Sequence, residues 1–316
     1  MKIAFLFPGQ GAQAIGMGKD LYEKYEEVRN IYDKVKEITN IDIASLSFDG
    51  PEEKLNRTKY TQLAILTNSL AILEILKKNN IKAEISAGLS LGEYSALIYS
   101  EILDFDEGIK LVQKRGEYME NSVPEGEWKM AAILGLEDEQ VEKICNNVKG
   151  GFVVPANYNC KGQIAISGES KAITEAEQMA KEMGAKKVRV LKTAGPFHTE
   201  KLTEASKKLR EELQKIKIHN GKSKVVKNID GTEYKDSDDV RNILEKHIIS
   251  PVMFSKTIQT MLNEKIDTFI EVGCGKTLSG FVKRTPTDKK INILNINNIS
   301  NLESTINFIK EAQTNE

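Results

Sequence analysis

Ala83-Glu-Ile-Ser-Ala-Gly-Leu-Ser-Leu-Gly-Glu-Tyr94 is the segment that decides the fold. It reads as a short strand, a turn built on Gly-Leu-Ser-Leu-Gly, and the start of a helix. A serine between two glycines at this spacing is typical of a nucleophile elbow, a turn so sharp that the serine backbone is strained and its hydroxyl exposed. Ser90 is then the candidate nucleophile, with the Leu91 N–H directed at the oxyanion. Taken alone, the pentapeptide fits a tight structural turn as well.

The bulk composition indicates a globular protein with a large core. Its 316 residues are 40% apolar and 29% charged, enough for one large domain or two modest ones. With 45 Lys and Arg against 46 Asp and Glu, the net charge of −1 gives no field that would attract nucleic acid. The cysteines Cys145, Cys160 and Cys274 have neither metal-ligand nor redox spacing and suit a reducing compartment. No apolar run approaches the length of a membrane span, so we expect a cytoplasmic protein.

Strands and helices alternate along the chain, which predicts an α/β fold with a central, mostly parallel sheet. The apolar run 3–7 fits a strand buried on both faces. Within 127–192 the order β-α-β-β-α-β predicts a ferredoxin-like small domain, inserted into a large domain of residues 1–126 and 193–316. Ser300 and Glu303 have capping-box spacing and are expected to start the last helix. The other predicted elements are helices at 20–38, 61–77, 105–121, 137–146, 171–183, 201–214, 240–247 and 255–263, and strands at 129–134, 152–156, 162–167, 187–191, 224–229, 268–272 and 291–296.

A serine nucleophile needs a base, and the chain has three histidines. His198 lies in the loop Gly195-Pro-Phe-His-Thr199, just after a predicted strand, where catalytic groups of α/β folds concentrate. His219 lies in a lysine-rich polar stretch, and His247 ends a predicted helix, where capping or packing is the usual role. We therefore predict that His198 is the base.

Two further features admit both a structural and a functional interpretation. The loop Phe7-Pro-Gly-Gln-Gly-Ala-Gln13 fits a tight turn, or a second oxyanion donor whose glycines let the Gln10 N–H approach a carbonyl. It is not a phosphate-binding loop, because no Gly-Lys-Ser/Thr closes it. Arg115 fits a surface arginine, or a guanidinium that holds a carboxylate bidentately. The periodicity of the sequence does not decide between these interpretations.

The motifs gain specificity when they are taken together. In chain order they are Phe7-Pro-Gly-Gln-Gly-Ala-Gln13, Ala87-Gly-Leu-Ser-Leu-Gly-Glu-Tyr-Ser-Ala-Leu97, Arg115, Ala156-Asn-Tyr-Asn159 with Gly162-Gln163, Gly195-Pro-Phe-His198, Asn228-Ile-Asp-Gly231, Ser250-Pro-Val252 and Glu271-Val-Gly-Cys-Gly275. This set resembles malonyl-CoA:acyl carrier protein transacylases from residue 3 to about residue 285. The resemblance implies a large α/β-hydrolase-like domain with the ferredoxin-like domain inserted.

The resemblance also implies a mechanism, a serine–histidine dyad working by a ping-pong route. Ser90 would attack the malonyl thioester of CoA while His198 takes its proton. The oxyanion would lie between the backbone N–H groups of Leu91 and Gln10. Arg115 would pair with the free malonyl carboxylate and so select malonyl over acetyl groups. The malonyl group would then pass to the phosphopantetheine thiol of acyl carrier protein.

Further site residues follow from the same resemblance. Gln62, Asn159 and Gln163 are expected to bind substrate, and Phe197 fits the malonyl-selective version of its motif. A backbone carbonyl near His247, not an aspartate, is expected to orient the catalytic histidine. No metal or bound cofactor is implied, a monomer is expected, and the free-standing length favours fatty acid over polyketide synthesis.

Four positions depart from the usual pattern of this family. Leu89 stands where a histidine usually precedes the serine, so polar help from that side chain is absent. Leu63 and Cys274 each replace a proline, and His247 replaces a glutamine. None of the four removes a catalytic group, and the change at Leu89 lies inside the elbow motif itself.

Partner and rival functions complete the expectations. Docking of an acidic carrier protein needs local positive charge, for which two basic clusters are candidates, although both also fit ordinary solvated charge. The clusters are Lys186, Lys187, Arg189 and Lys192, and Lys276, Lys283 and Arg284.

The rival functions are a serine esterase, a patatin-like lipase with a Ser90–Asp230 dyad, an acyltransferase of a polyketide synthase, and a non-catalytic carrier-binding scaffold.

Overall fold

The computed structural model describes residues 1–124, 126–191, 195–236 and 238–314. Two β-sheets carry the architecture, and helices pack against both. Within these ranges no helix has the combined length and apolar character needed to cross a bilayer. The strands are β1 Ile3–Phe7, β2 Ile85–Gly88, β3 Trp128–Leu134, β4 Val153–Cys160, β5 Gln163–Glu169, β6 Lys187–Val190, β7 Lys224–Val225, β8 Thr268–Val272 and β9 Asn292–Ile296. The helices are α1 Lys19–Lys24, α2 Glu26–Thr39, α3 Ile43–Asp49, α4 Glu52–Leu55, α5 Thr58–Lys78, α6 Gly92–Tyr99, α7 Phe105–Asn121, α8 Asp138–Asn147, α9 Ser170–Glu182, α10 Thr203–Leu213, α11 Val240–His247, α12 Phe254–Asn263, α13 Thr277–Arg284 and α14 Ile299–Thr314, with a 3₁₀ helix at Glu200–Leu202.

The larger sheet has the strand order β7-β2-β1-β8-β9, and its neighbouring strands run parallel. In β1, Phe5 and Phe7 belong to one apolar cluster, while Ala4 and Leu6 belong to a second cluster. Successive side chains of a strand point to opposite faces, so β1 is buried on both sides. That burial explains the uninterrupted apolar run in the sequence. The prediction of an α/β fold with a central parallel sheet is confirmed.

The smaller sheet is antiparallel, with the strand order β4-β5-β3-β6. Its elements follow one another as β3-α8-β4-β5-α9-β6, which is the predicted ferredoxin-like order. Ile133, Ile166 and Ile173 belong to one apolar cluster between the sheet and its two helices. The division into two domains stays a prediction, and its boundary between 192 and 193 lies outside the described residues.

A short segment before α12 joins the smaller sheet to the rest of the chain. Val252 forms a parallel bridge with Asn157 of β4. The Tyr158 N–H donates to the Val252 carbonyl at 2.8 Å, and the Val252 N–H donates to the Ala156 carbonyl at 2.9 Å. Residues 250–252 therefore extend the edge of the smaller sheet while they lie beside the end of α11.

Two predicted elements in the larger sheet region are wrong in extent. The helix expected at 20–38 is interrupted at Tyr25, whose extended backbone (φ −111°, ψ 125°) separates α1 from α2. The strand expected at 224–229 ends at Val225. Beyond it the chain turns back on itself, and the Lys227 N–H donates to the Thr232 carbonyl at 2.8 Å. In the second place this turn, closed by a backbone hydrogen bond, ends the strand early.

The start of the last helix also differs from the prediction. Asn298 caps α14, because its side-chain oxygen accepts from the Asn301 N–H at 2.9 Å. Ser300 and Glu303 therefore lie within the helix and form no capping box across its start. Helices α3, α4 and α13 were not predicted, since segments of four to eight residues hold too few helical turns to show a period.

Candidate active site

Ser90 lies in the sharp turn between β2 and α6 with a positive φ of 53°, a left-handed conformation that non-glycine residues rarely adopt. The flanking glycines make the turn possible. A Cβ on Gly88 would lie 1.9 Å from the Gly92 carbonyl carbon, and a Cβ on Gly92 would lie 2.1 Å from the Phe7 carbonyl oxygen. The strained turn expected from the sequence is therefore present, and it is held tightly between β1 and α6.

His198 meets the hydroxyl of Ser90, with 2.7 Å between Nε2 and Oγ. On the other side of its ring, Nδ1 faces the carbonyl oxygens of His247 at 3.0 Å and Ser250 at 3.2 Å. Carbonyl oxygens only accept hydrogen bonds, so the ring proton must be on Nδ1. Nε2 then presents its lone pair to the Ser90 hydroxyl, which is the arrangement a general base needs. The carbonyl of His247 stands where the sequence placed an orienting carbonyl.

The electrostatic surroundings keep His198 neutral at rest. Burial, and then the positive charge of Arg115, lower its pKa from 6.5 to about 4, although the carbonyls of His247 and Ser250 act in the opposite direction. At neutral pH the imidazole is therefore unprotonated and able to accept a proton.

Arg115 is completely buried, although the sequence pattern also fits a surface position. Its Nη1 donates to Gln62 Oε1 at 2.6 Å, and its Nη2 donates to Ser90 Oγ at 3.2 Å. The guanidinium lies against the ring of Tyr94, with Cζ 5.1 Å from the ring centroid, and Nε is buried without an acceptor. Among the described residues no carboxylate forms an ion pair with it. A buried cation without an ion-paired carboxylate among the described residues, next to the candidate nucleophile, is a binding position for a negatively charged group.

The glycine-rich loop after β1 lies beside the elbow. Phe7 pairs with Gly88 in the parallel register, and the Leu89 N–H donates to the Phe7 carbonyl at 3.0 Å. The side chain of Gln10 donates to Thr58 Oγ1 at 3.2 Å. Over the described part of the chain, the backbone N–H groups of Gln10 and Leu91 have no acceptor. Both N–H groups are therefore available to an oxyanion at Ser90.

Asn228 is a site residue that belongs to the motif Asn228-Ile-Asp-Gly231 and for which no role is predicted above. Its Oδ1 accepts from the Ser90 N–H at 2.7 Å, and its Nδ2 donates to the Gly88 carbonyl at 2.7 Å. The side chain of Asn228 thereby holds the elbow at two points, Gly88 and Ser90. Its place in the motif Asn228-Ile-Asp-Gly231 is the signal in the sequence, and its partners, 138 and 140 positions away, reveal what it does.

The remaining predicted residues lie at different distances from this centre. Gln62 contacts Arg115 directly, and Phe197 is buried next to His198 in the chain. Asn159 is buried, and its Oδ1 has no partner within the described residues. Gln163 instead accepts from Arg284 Nη2 at 2.9 Å. No contact joins Gln163 to the centre formed by Ser90, His198 and Arg115 within the described ranges.

Comparison with known proteins identifies the family. The acyl transferase domain model matches residues 4–312. The chain belongs to the acyl transferase family. A malonyl CoA-acyl carrier protein transacylase of Bacillus subtilis is 40% identical over 316 residues, which is 99% of each chain.

Solved structures agree with this assignment. The malonyl CoA-acyl carrier protein transacylase of Clostridium perfringens superposes with a TM-score of 0.94 at 42% identity and covers 99% of both chains. A malonyl-transacylase in complex with its holo type II PKS acyl-carrier protein gives a TM-score of 0.93 at 32% identity, over 98% of this chain and 100% of that chain.

In this acyl transferase no hydrogen bond joins the rival acid Asp230 to Ser90 among the residues that the structure describes. Its Oδ1 accepts from the N–H and hydroxyl of Thr232 at 2.8 and 2.9 Å, and Oδ2 lies 3.6 Å from Lys227 Nζ. The third histidine, His219, is exposed and bonds to Asp104 at 3.0 Å. The geometry therefore favours a serine–histidine dyad over a serine–aspartate dyad. Across the described residues no group of three His, Cys, Asp or Glu side chains is placed to hold a metal ion.

The four departures from the family pattern lie mainly in packing positions. Leu63 and Cys274 are buried in the core of the acyl transferase. Leu89 is half-buried and packs against the second apolar cluster. His247 is completely buried and supplies its carbonyl to His198. Of the predicted basic clusters, Lys192 lies outside the described residues, while Arg284 is engaged with Gln163 and Cys160.

Proposed function

We propose that this acyl transferase moves a malonyl group from malonyl-CoA to the phosphopantetheine thiol of an acyl carrier protein. The observation that carries the proposal is the fully buried guanidinium of Arg115, unpaired with any described carboxylate, whose Nη2 lies 3.2 Å from Ser90 Oγ. A malonyl thioester bound at Ser90 has its free carboxylate a few atoms from the reacting carbon. That carboxylate can neutralise the buried cation, whereas an acetyl group cannot.

The first half-reaction forms a malonyl ester on Ser90. As Oγ attacks the thioester carbon, its proton moves to His198 Nε2, and the carbonyl oxygen becomes an oxyanion. The N–H groups of Leu91 and Gln10 stabilise this oxyanion. When the intermediate collapses, the C–S bond breaks, and the CoA sulfur leaves with the proton from His198.

The second half-reaction reverses the order of these steps. The thiol of the carrier gives its proton to His198 as the sulfur attacks the ester carbon. The C–O bond to Ser90 then breaks, and Oγ recovers its proton from the imidazolium. Both half-reactions use Ser90, His198 and the same two backbone N–H groups. Neither half-reaction, as proposed, uses a metal or a bound cofactor.

The carrier protein is proposed to belong to fatty acid synthesis, with the enzyme acting as a cytoplasmic monomer. Transfer to an acyl carrier protein is supported by the malonyl CoA-acyl carrier protein transacylase of Bacillus subtilis, at 40% identity over 99% of each chain. A carrier of polyketide synthesis is the second candidate, since one structural neighbour was solved with a type II PKS acyl-carrier protein. The exposed basic residues Lys187 and Arg189 on β6 fit the acidic surface of such carriers.

Mass spectrometry of the intact protein tests the proposal. After mixing with malonyl-CoA, the wild type is expected to gain the mass of one malonyl group, and Ser90→Ala is expected to gain none. His198→Ala should slow the gain by about 10²–10⁴-fold, while Asp230→Ala should retain it. No adduct in the wild type would instead indicate a non-catalytic scaffold. Loss of the adduct in Asp230→Ala, with His198→Ala retaining it, would indicate a serine–aspartate dyad. Discharge of the adduct onto fatty acid or polyketide carriers, compared by rate, distinguishes the two partners.

A further inference from the structure

Glu93 is a buried carboxyl group at the active site to which the mechanism above assigns no role. It lies in the first turn of α6, three residues after Ser90, and is completely buried. Its Oε1 accepts from the hydroxyl of Tyr234 at 2.7 Å and from the Asn228 N–H at 3.4 Å. Asn228 holds the Ser90 elbow, so this oxygen of Glu93 fixes the loop on which the nucleophile depends.

The second oxygen of the same carboxyl group lies beside His247, the residue whose carbonyl orients the base. Oε2 lies 3.1 Å from Nδ1 of His247, although the two atoms are not aligned as a hydrogen bond, and both side chains are completely buried. The His247 ring in turn lies beside the His198 ring, with 5.2 Å between centroids and 32° between planes. His247 Nε2 has no partner among the described residues. Glu93, His247 and His198 thus form a continuous row from the carboxyl group to the base.

The charges around this row make the carboxyl group significant. His198 becomes an imidazolium in each half-reaction, yet its Nδ1 faces only carbonyl oxygens, and Arg115 opposes its positive charge. The titratable groups that act on Glu93 are Tyr234, Arg115, Asp230, His247 and Tyr94. Of these, Asp230 is the other acid, and it is an exposed group bonded to its own loop. Glu93 is therefore the buried carboxyl group that this row connects to the base.

We propose that Glu93 is a positioning residue for the transfer reaction. One carboxyl oxygen fixes the Asn228 loop beneath Ser90, and the other, when ionised, places a buried negative charge behind the His247 ring that stabilises the imidazolium of His198. The charge supplies part of the stabilisation of the imidazolium that an aspartate would give, since this dyad contains no aspartate. This inference rests on the serine–histidine mechanism proposed above, and it assigns Glu93 an effect on the rate that depends on its ionisation.

The ionisation of Glu93 falls near neutral pH. Burial raises its pKa from 4.5 to about 7, although the bonds from Tyr234 and Asn228 act in the opposite direction. Burial also lowers the pKa of His247 well below 6.5, so that ring remains neutral and does not repel the imidazolium. Below about pH 7 the carboxyl group is protonated and supplies no charge, and above it the carboxylate is present. The rate should therefore rise as the pH passes upward through 7.

The test measures how fast Ser90 is phosphonylated by an uncharged fluorophosphonate between about pH 5 and 9. This reagent needs no malonyl carboxylate, since Ser90 Oγ bonds to phosphorus, fluoride leaves and His198 takes the proton. The wild type is expected to show an ionisation near pH 7. Glu93→Gln keeps an oxygen for Tyr234 and Asn228, and it should lose that ionisation. It should be about tenfold slower than the wild type at high pH and equal to it at low pH.

Two controls and three outcomes complete the experiment. Glu139→Gln makes the same chemical change at an exposed position of α8, and His219→Gln removes the exposed histidine. Both variants should keep the wild-type pH profile. A wild-type rate that is flat through pH 7 overturns the inference, whether or not Glu93→Gln folds. So does an equal loss in Glu93→Gln at every pH, which would indicate packing alone. A profile as expected with no malonyl adduct on Ser90 would overturn the proposed malonyl transfer while leaving the role of Glu93 intact.

Discussion

Replacing Arg115 with glutamine should remove the proposed selectivity of the site for malonyl over acetyl groups. The guanidinium is buried with no described carboxylate partner, and two of its N–H groups are occupied by Gln62 and Ser90. The remaining donors, including the buried Nε, are free for a substrate carboxylate. Glutamine fills part of the same space and keeps a donor, but it carries no charge.

The size of the effect follows from the number of bonds. Two hydrogen bonds between a guanidinium and a carboxylate contribute about 1.5–3 kcal/mol each. Allowing for the donor that glutamine keeps, the loss for malonyl-CoA should be about 3–4 kcal/mol, or roughly 10²–10³-fold in kcat/KM. Acetyl-CoA offers no carboxylate, so its kcat/KM should change less than about tenfold.

Competition between malonyl-CoA and acetyl-CoA for Ser90, read as the ratio of the two adduct masses, measures this selectivity directly. Arg210→Gln is the matched control, because it makes the same change at an exposed arginine whose partner is Glu245. Arg115→Lys should fall between the wild type and the glutamine variant, since lysine keeps the charge without the fork. If both acyl groups lose the same factor in Arg115→Gln, the guanidinium serves Ser90 and not the substrate carboxylate.

Three other perturbations test the geometry of the elbow and the base. Gly92→Ala places a Cβ 2.1 Å from the Phe7 carbonyl oxygen, so we expect loss of transfer and about 1–3 kcal/mol of stability in urea denaturation; wild-type activity would contradict the tight turn. Asn228→Ala removes the bonds to Gly88 and Ser90, and phosphonylation of Ser90 should slow about tenfold. An unchanged rate there would show that the elbow holds itself. The pKa of His198 is about 4 in the folded protein against 6.5 for a solvated histidine, so the wild type should lose up to about 3 kcal/mol of unfolding free energy as the pH falls from 6.5 to 4. His198→Gln should lack that loss when urea midpoints are compared across pH, and an identical pH dependence would refute the buried, neutral histidine.

The features predicted well from the sequence are those whose causes are local. The run 3–7 is continuous and apolar because β1 is buried on both faces, and that cause is visible in five residues. The glycines at 88 and 92 flank Ser90 because the turn leaves no room for a Cβ. In each case the residues that impose the constraint are neighbours in the chain.

The features that escaped prediction depend on residues that meet only after folding. The pattern of α7 leaves the burial of Arg115 undecided, since nothing in that helix shows that Gln62 and Ser90 approach it. The role of Glu93 is equally hidden, because Tyr234 lies 141 positions away. A local break in a helix can also leave no trace in the sequence pattern. The helix predicted at 20–38 is interrupted in this way by the extended backbone of Tyr25. Long-range polar contacts therefore set the limit of what the sequence reveals about this site.

The segment that extends the smaller sheet has a mechanical consequence for the base. Val252 is hydrogen-bonded to β4 through Ala156 and Tyr158, and only two residues before it the Ser250 carbonyl accepts from His198 Nδ1. The position of this carbonyl, and with it one of the two acceptors that fix the ring proton of His198, therefore depends on β4 of the smaller sheet. The catalytic histidine is thus anchored to both sheets of the molecule, through Ser90 on the parallel sheet and through Ser250 on the antiparallel one.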